Sequence, residues 1–381
     1  MAVSKFERSY SPLIILGLLA ALVVVVALWA LDRAATTAGS GTQRQAGVPG
    51  EVIAWKLVTT WPKNFPGLGL GPENFARIVK EMSNGRLSIH VYGAGEVVPA
   101  FGVFDAVSRG VAEMGHGAAY YWTGKIPAAV FFSAIPFGFT AQEINAWLHY
   151  GGGLELWREI YAPFNLIPLA GGNSGVQMGG WFNKEINSVE DLKGLKMRMP
   201  GLGGEVLTRA GGTAVTLPGS ELYTSLQTGV IDATEWVGPY NDRALGLHQV
   251  ARYYYYPGWH EPGSTLEFIV NRDAYESLPA DLQAIVTHAA RAINQDMLDE
   301  FTARNNAALQ DLIDNHGVQL RKFPDDVIVR LHQSTEEALR DLAASDPLAK
   351  RVYASYKDFL EKVTRYHHIS EQAYINARDL K

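Results

Sequence analysis

Trp55-Lys-Leu-Val-Thr59, then Phe75, Ile78, Val79 and Met82, then Leu87, Ile89 and Val91: this stretch decides the fold. Residues 55–59 alternate in polarity, as a strand with one covered face does. The next four apolar residues fall at helical spacing, and Asn84-Gly85 stops that helix. Leu87, Ile89 and Val91 alternate again. A strand–helix–strand unit predicts parallel pairing through a right-handed crossover, and so an α/β fold.

The pattern continues toward the C-terminus. Gly110-Val-Ala-Glu-Met114 reads as another strand entry after a helix around Phe104–Ser108. Ser188-Val-Glu-Asp191-Leu-Lys-Gly194 is a capped helical turn, with Ser at the N-cap, Asp three residues on and Gly at the end. Leu195-Lys-Met-Arg-Met199 follows as a strand that Pro200 ends, then a helix around Glu205–Ala210 and the segment Thr213–Leu217. Ser220 is expected to cap a helix through Gln227, and Val230–Trp236 reads as a strand running into a loop. From about Asp273 onward the pattern is helical and amphipathic, and no exact internal repeat occurs. Two α/β lobes are expected, with the chain crossing between them more than once.

Toward the N-terminus, Lys5 and Arg8 precede an uncharged run from Leu13 to Leu31. A helix of that length covers about 28 Å, close to the roughly 30 Å of a bilayer's hydrocarbon. Basic residues ahead of the run place the N-terminus inside and the remainder outside. The run is a retained anchor, a cleaved signal or a buried core helix, and the first two readings export the protein. The sites around Ala30 and Ala35 are poor for cleavage, because Leu28 and Arg33 lie two positions before them. Residues 34–50 are small and polar, a tether. The folded part then begins near Glu51.

Composition excludes several chemistries. A net charge of −6 argues against a nucleic-acid footprint. There is no cysteine, hence no disulfide, thiolate metal site or cysteine nucleophile. Gly67-Leu-Gly69-Leu-Gly71 lacks the third glycine of a dinucleotide loop, and no phosphate-binding P-loop or zinc-protease motif is present. Gly172-Asn-Ser-Gly175 has the wrong spacing for a nucleophile elbow. His367 and His368 are adjacent, so they do not share a helix face and read as surface or interface residues.

Isolated polar residues in apolar, glycine-rich surroundings remain. Arg198 is either an exposed arginine on an edge strand or a fork facing a carboxylate in a cleft. Glu235-Trp236 ends a strand beside Gly238-Pro239, where open α/β sheets bind ligands; the alternative is a solvated glutamate beside a core tryptophan. Gln177 lies in Gly171-Gly-Asn-Ser-Gly-Val-Gln-Met-Gly-Gly-Trp181, a segment that permits close backbone approach or merely hinges. Tyr120-Tyr-Trp122 and Tyr253-Tyr-Tyr-Tyr-Pro-Gly-Trp259-His-Glu261 are core or pocket lining. Glu261 is costly to bury unpaired, a cost that a hard cation offsets. His260 reads as a rim residue.

Together these strings resemble the extracytoplasmic solute receptors of TRAP transporters. Ser188–Arg198 is similar to their arginine-bearing segment, and Leu226-Gln-Thr-Gly-Val-Ile-Asp-Ala-Thr-Glu-Trp236 to their other characteristic stretch. Gly171–Trp181, Glu235–Tyr240 and Tyr253–Glu261 resemble the subgroup for 2-oxo acids such as pyruvate and for lactate. The resemblance runs from Trp55 nearly to the C-terminus. It implies an α/β, two-lobed periplasmic-binding-protein-like fold with an interlobe ligand cleft and a C-terminal helical extension. The expected division is residues 1–33 as anchor or signal, 34–50 as tether, 51–172 as the first part of lobe I and 173–258, approximately, as lobe II. Residues 259–324 return to lobe I with a spine helix, and 325–381 are the helical dimerisation extension.

The function implied is capture of a small monocarboxylate, without chemistry, for delivery to TRAP-type membrane permease subunits. Arg198 anchors the carboxylate, with Gln177, Asn173 and Tyr121 as further contacts. A sodium or calcium ion bridges protein and ligand, held by the Gln177 side-chain oxygen, the Trp236 backbone carbonyl, and the Glu235 and Glu261 carboxylates. A homodimer is implied, located in the periplasm and either tethered by Leu13–Leu31 or free after cleavage. The competing reading is a metal-assisted enzyme acting on 2-oxo acids.

Overall fold

In a computed structural model, the structure describes Gly17, residues 20–27 and residues 52–380. Gly17 and residues 20–27 are helical; the rest of the Leu13–Leu31 run and the expected tether lie outside the described residues. Among the described residues, no helix is long and apolar enough to cross a membrane. Residues Met1–Glu51 and Val52–Lys381 form separate units, and both sheets belong to the second.

The first sheet has the order β2-β1-β3-β10-β4. Its strands are β1 (Ile53–Thr59), β2 (Leu87–Tyr92), β3 (Met114–Gly117), β4 (Leu166–Asn173) and β10 (Thr265–Asn271). β1 pairs in parallel with β2 and β3, as the opening stretch predicts, while β10 runs antiparallel between β3 and β4. The connecting helix Leu70–Met82 buries Phe75, Ala76 and Val79. They pack with Trp55, Leu57, Leu87 and Ile89 and with the start of the long helix Ala280–His316. The glycines at 67, 69 and 71 serve packing: a Cβ on Gly69 would lie 2.4 Å from the Pro62 carbonyl oxygen.

The second sheet has the order β11-β9-β5-β8-β6-β7. It contains β5 (Gly180–Phe182), β6 (Lys196–Arg198), β7 (Thr213–Val215), β8 (Ala233–Thr234), β9 (Tyr253–Tyr256) and β11 (Gln319–Lys322). β6 lies between β8 and β7, both parallel to it. The chain passes from the first sheet to the second through residues 174–179 and back through 257–264. It returns to the second sheet after the long helix.

Local signals held where the backbone needed them. Ser188 and Asp191 form the reciprocal capping box. Elsewhere the chain departs from the pattern. Ser220 lies inside a helix that already begins at Gly219, with Pro218 at the N-cap and no side-chain cap. The third strand starts at Met114 rather than Gly110, because Gly110 is a turn at φ 71°. Only Ala233–Thr234 of the segment 230–236 is strand, and the chain leaves the sheet at Glu235.

The C-terminal helices pack on the body of their own chain. Asp325–Ser345 lies against the helix Gly201–Arg209 of the second sheet's side, and Pro347–Ile369 against residues 127–132 and 141–161 of the first. Tyr356, 2% exposed, accepts a hydrogen bond from the Phe139 N–H at 2.9 Å and packs on the Phe139 ring. His367 is not a bare surface residue: its Nδ1 lies 2.6 Å from Glu143, which also closes the capping box of the helix Ala141–Tyr150. Beyond it, Ile369, Tyr374 and Leu380 are exposed.

Candidate ligand and cation site

Arg198 is the last residue of an interior strand, so it is not the exposed edge arginine that the pattern allowed. It is 1% exposed. Its Nε donates to the Leu217 carbonyl at 3.1 Å and its Nη2 to the Tyr121 hydroxyl at 3.3 Å. Nη1 pairs with the Glu235 carboxylate. The guanidinium also sits 5.2 Å from the centre of the Trp236 ring. Burial alone would lower its pKa; the charge on Glu235 and the neighbouring tyrosines outweigh that effect and keep it cationic.

Glu235 is fully buried where β8 ends. One of its oxygens meets Arg198, and the other has no hydrogen-bond partner among the described residues. Glu261 comes from the returning crossover and is 3% exposed. Burial, followed by repulsion from Glu235, pushes its pKa up to about 7. Gln177, on the outgoing crossover, donates through Nε2 to Glu261 at 2.7 Å and to Ser174 at 3.0 Å. That leaves the Gln177 Oε1 buried and without a partner among the described residues.

The two crossovers touch because of a glycine. A Cβ on Gly258 would lie 2.1 Å from the Gln177 carbonyl oxygen. The Gln177 N–H donates to the Glu261 carbonyl at 3.2 Å, and the Met178 N–H to the Val237 carbonyl at 3.0 Å. Four separate segments thereby converge on one point. The narrow cavity they enclose is lined by Trp61, Tyr121, Gln177, Arg198, Trp236 and Ser264 among others. The Trp61 ring, following β1, meets Trp236 edge-on at 6.0 Å, so the cleft is closed.

A larger hollow, about 730 Å³, lies elsewhere, bordered by Tyr240, Arg243, Asp296 and Arg304. It is open, and none of its lining residues has a buried polar atom lacking a partner among the described residues. The smaller cavity is lined by buried Arg198, which pairs with buried Glu235, and is the functional candidate.

The structure therefore gathers Arg198, Gln177, Glu235, Trp236, Glu261 and Tyr121. Asn173 differs. Its amide donates to the Gly263 carbonyl at 3.2 Å and the Thr265 hydroxyl at 3.3 Å, and accepts from the Gly175 N–H at 2.8 Å. It ties the crossovers together and does not line the cavity.

Several residues beside the site carried no sequence signal. Asp242 accepts from the Trp181 and Tyr254 side chains and from the Val237 and Gly238 N–H groups, fixing the loop after Glu235. Burial raises its pKa to about 6 despite those bonds. Asn241 accepts from the Trp236 indole at 2.9 Å and donates to the Pro66 carbonyl at 2.8 Å. His116 accepts from the Trp61 indole at 2.8 Å; burial lowers its pKa to about 4, so it is a neutral acceptor that holds the Trp61 wall. His260 is not a rim residue: it is 2% exposed and lies next to Glu235.

The DctP family, described as bacterial extracellular solute-binding protein, family 7, matches residues 57–346. The monocarboxylate 2-oxoacid-binding periplasmic protein of Nostoc sp. (strain PCC 7120) is 44% identical over 332 residues, covering 87% of this chain and 90% of that one. A TRAP periplasmic solute-binding protein from Pseudoalteromonas atlantica, crystallised with sodium and pyruvate, is 45% identical with a TM-score of 0.84 and covers 87% of this chain and all (100%) of its own. Another from Colwellia psychrerythraea, with calcium and pyruvate, is 46% identical with a TM-score of 0.83 and covers 86% and 99%. All are binding proteins, so the enzyme reading has no support among them. The family match spans both sheets and every residue of the closed cavity, and this chain belongs to the DctP family of bacterial extracellular solute-binding proteins.

Proposed function

We propose that this receptor captures a small 2-oxo monocarboxylate, pyruvate foremost, together with a sodium or calcium ion, and delivers it to TRAP-type permease subunits. One observation carries the reading: buried Arg198 and Gln177 line a small cavity and are bonded to two buried glutamates, Glu235 and Glu261, with one oxygen of Gln177 and one of Glu235 left without a partner among the described residues. One positive and two negative groups cannot admit a third negative charge without compensation. The donor set is all oxygen, which suits a hard cation. Gln177, Glu235, Glu261 and the Trp236 carbonyl would hold it, and when bound it neutralises carboxylates and bridges to the ligand. Arg198 then takes the ligand carboxylate, Tyr121 borders it, and Asn173 acts by fixing the crossovers.

Two relatives support the ligand class, since the Pseudoalteromonas receptor carries pyruvate with sodium and the Colwellia receptor pyruvate with calcium. Calorimetry of chelator-stripped protein tests both parts. Pyruvate is expected to bind when sodium or calcium is restored and to bind far more weakly without either. Binding that survives in the absence of both ions removes the cation from the scheme.

The exposed apolar residues Ile369, Tyr374 and Leu380 support a homodimer through the end of the C-terminal extension. The basic residues ahead of Leu13–Leu31 support export, with the run retained as a tether or cleaved. Intact mass of the protein recovered from membranes and from periplasm distinguishes the two.

A further inference from the structure

We propose that the same corner also accepts a first-row divalent transition ion, with His260 as its nitrogen ligand beside Glu235 and Glu261. This rests on the cation site described above and extends it to a metal class that an all-oxygen set does not predict.

His260 is 2% exposed, and neither ring nitrogen has a hydrogen-bond partner among the described residues. An imidazole always offers at least one donor, and leaving such a group buried and unpaired is unfavourable. The ring is seated, not loose. Gly203 admits it closely, since a Cβ there would come within 3.1 Å of the His260 Cβ, and the Trp259 ring packs at 5.5 Å. Its Nε2 lies 3.5 Å from the unpartnered Glu235 oxygen, with no hydrogen bond between them. Two ligands held about 2.1 Å from a tetrahedral ion stand roughly 3.4 Å apart. One ligand atom each from Glu235, His260 and Glu261 lies within 4.8 Å of the others.

Sodium and calcium take oxygen ligands and have no use for the imidazole. Imidazole with carboxylates suits manganese, iron, cobalt and zinc. The residue that is surplus for calcium is therefore the one that completes a transition-metal set. A 2-oxo acid, which offers a carboxylate and a keto oxygen, supplies the remaining positions.

The test uses the full chain, stripped with chelator and titrated in parallel with Co2+ and Ca2+ in the presence of pyruvate. Wild type is expected to bind about one equivalent of Co2+, with visible absorption bands and an imidazole signature in X-ray absorption. In His260→Asn, the ratio of Co2+ to Ca2+ affinity is expected to fall at least about tenfold. An unchanged ratio overturns the proposal, as does bound cobalt without imidazole scattering in wild type, a result that does not depend on the variant folding. If calcium binds and cobalt does not, this inference alone fails. If folded wild type binds neither ion, the cation reading beneath it fails as well.

Discussion

A single buried ion pair governs the chemistry of the cavity. Arg198 and Glu235 neutralise each other while the guanidinium also reaches Tyr121. An arriving carboxylate competes for the same fork, and lysine cannot reproduce two parallel donors. Arg198→Lys is expected to weaken pyruvate binding on the order of 10- to 100-fold, through loss of a charge-assisted bond worth about 1.5–3 kcal/mol; unchanged affinity in calorimetry removes Arg198 as the anchor. Glu267 shows what a buried carboxylate does without a cation. It accepts from the Trp122 indole and the Tyr161 hydroxyl, yet burial raises its pKa to about 8. The folded protein keeps this proton where the unfolded chain has lost it, from roughly pH 4.5 to 8. Stability contributed here falls as pH rises through that window. Glu267→Gln is expected to melt higher than wild type at pH 8.5, with the difference shrinking toward pH 5. Parallel melting curves at both pH values would refute it.

Among the elements, periodicity made the strand–helix–strand unit legible, because each side of that pattern faces one solvent and one core. Arg198, Glu235 and Glu261 were legible as oddities, charged residues in apolar strings. Their partners were not. Asn241 and Asp242 follow Gly238-Pro239 and look like ordinary helix-start residues; only the fold turns their side chains inward. Nor does any pattern show that His260 points into the core. Asn241 matters most among these, because it bonds the loop after β1 to the tryptophan after β8. The bond to Pro66 ties this segment to the loop after β1, while the local bond to Trp236 aims the Asn241 amide, so together they favour the closed arrangement. Asn241→Ala leaves the Trp236 indole and the Pro66 carbonyl without their shared partner, at about 1–3 kcal/mol for each buried group left unpaired. Ligand affinity is expected to drop by roughly tenfold or more, and small-angle scattering of the ligand-saturated variant is expected to retain open molecules. Closure and affinity equal to wild type would show that the latch is incidental.

At the scale of the whole molecule, the site exists only when segments from both sheets and both crossovers meet, so ligand, cation and closure are linked. The crossovers carry Gln177 and Glu261, the second sheet brings Arg198 and Glu235, and the first brings Trp61 and Tyr121. A cation and a carboxylate that share this space and bridge to each other must each raise the other's affinity by the same factor. Couplings of this kind run at about 1–3 kcal/mol, or 5- to 150-fold. Titrating pyruvate at several fixed calcium concentrations, and calcium at several fixed pyruvate concentrations, yields that factor twice. The two values are expected to agree and to exceed about fivefold, and Glu261→Gln is expected to reduce both together. Affinities that do not respond to each other would mean that cation and ligand occupy independent places, and the bridged arrangement of Arg198, Glu235 and Glu261 would have to be abandoned.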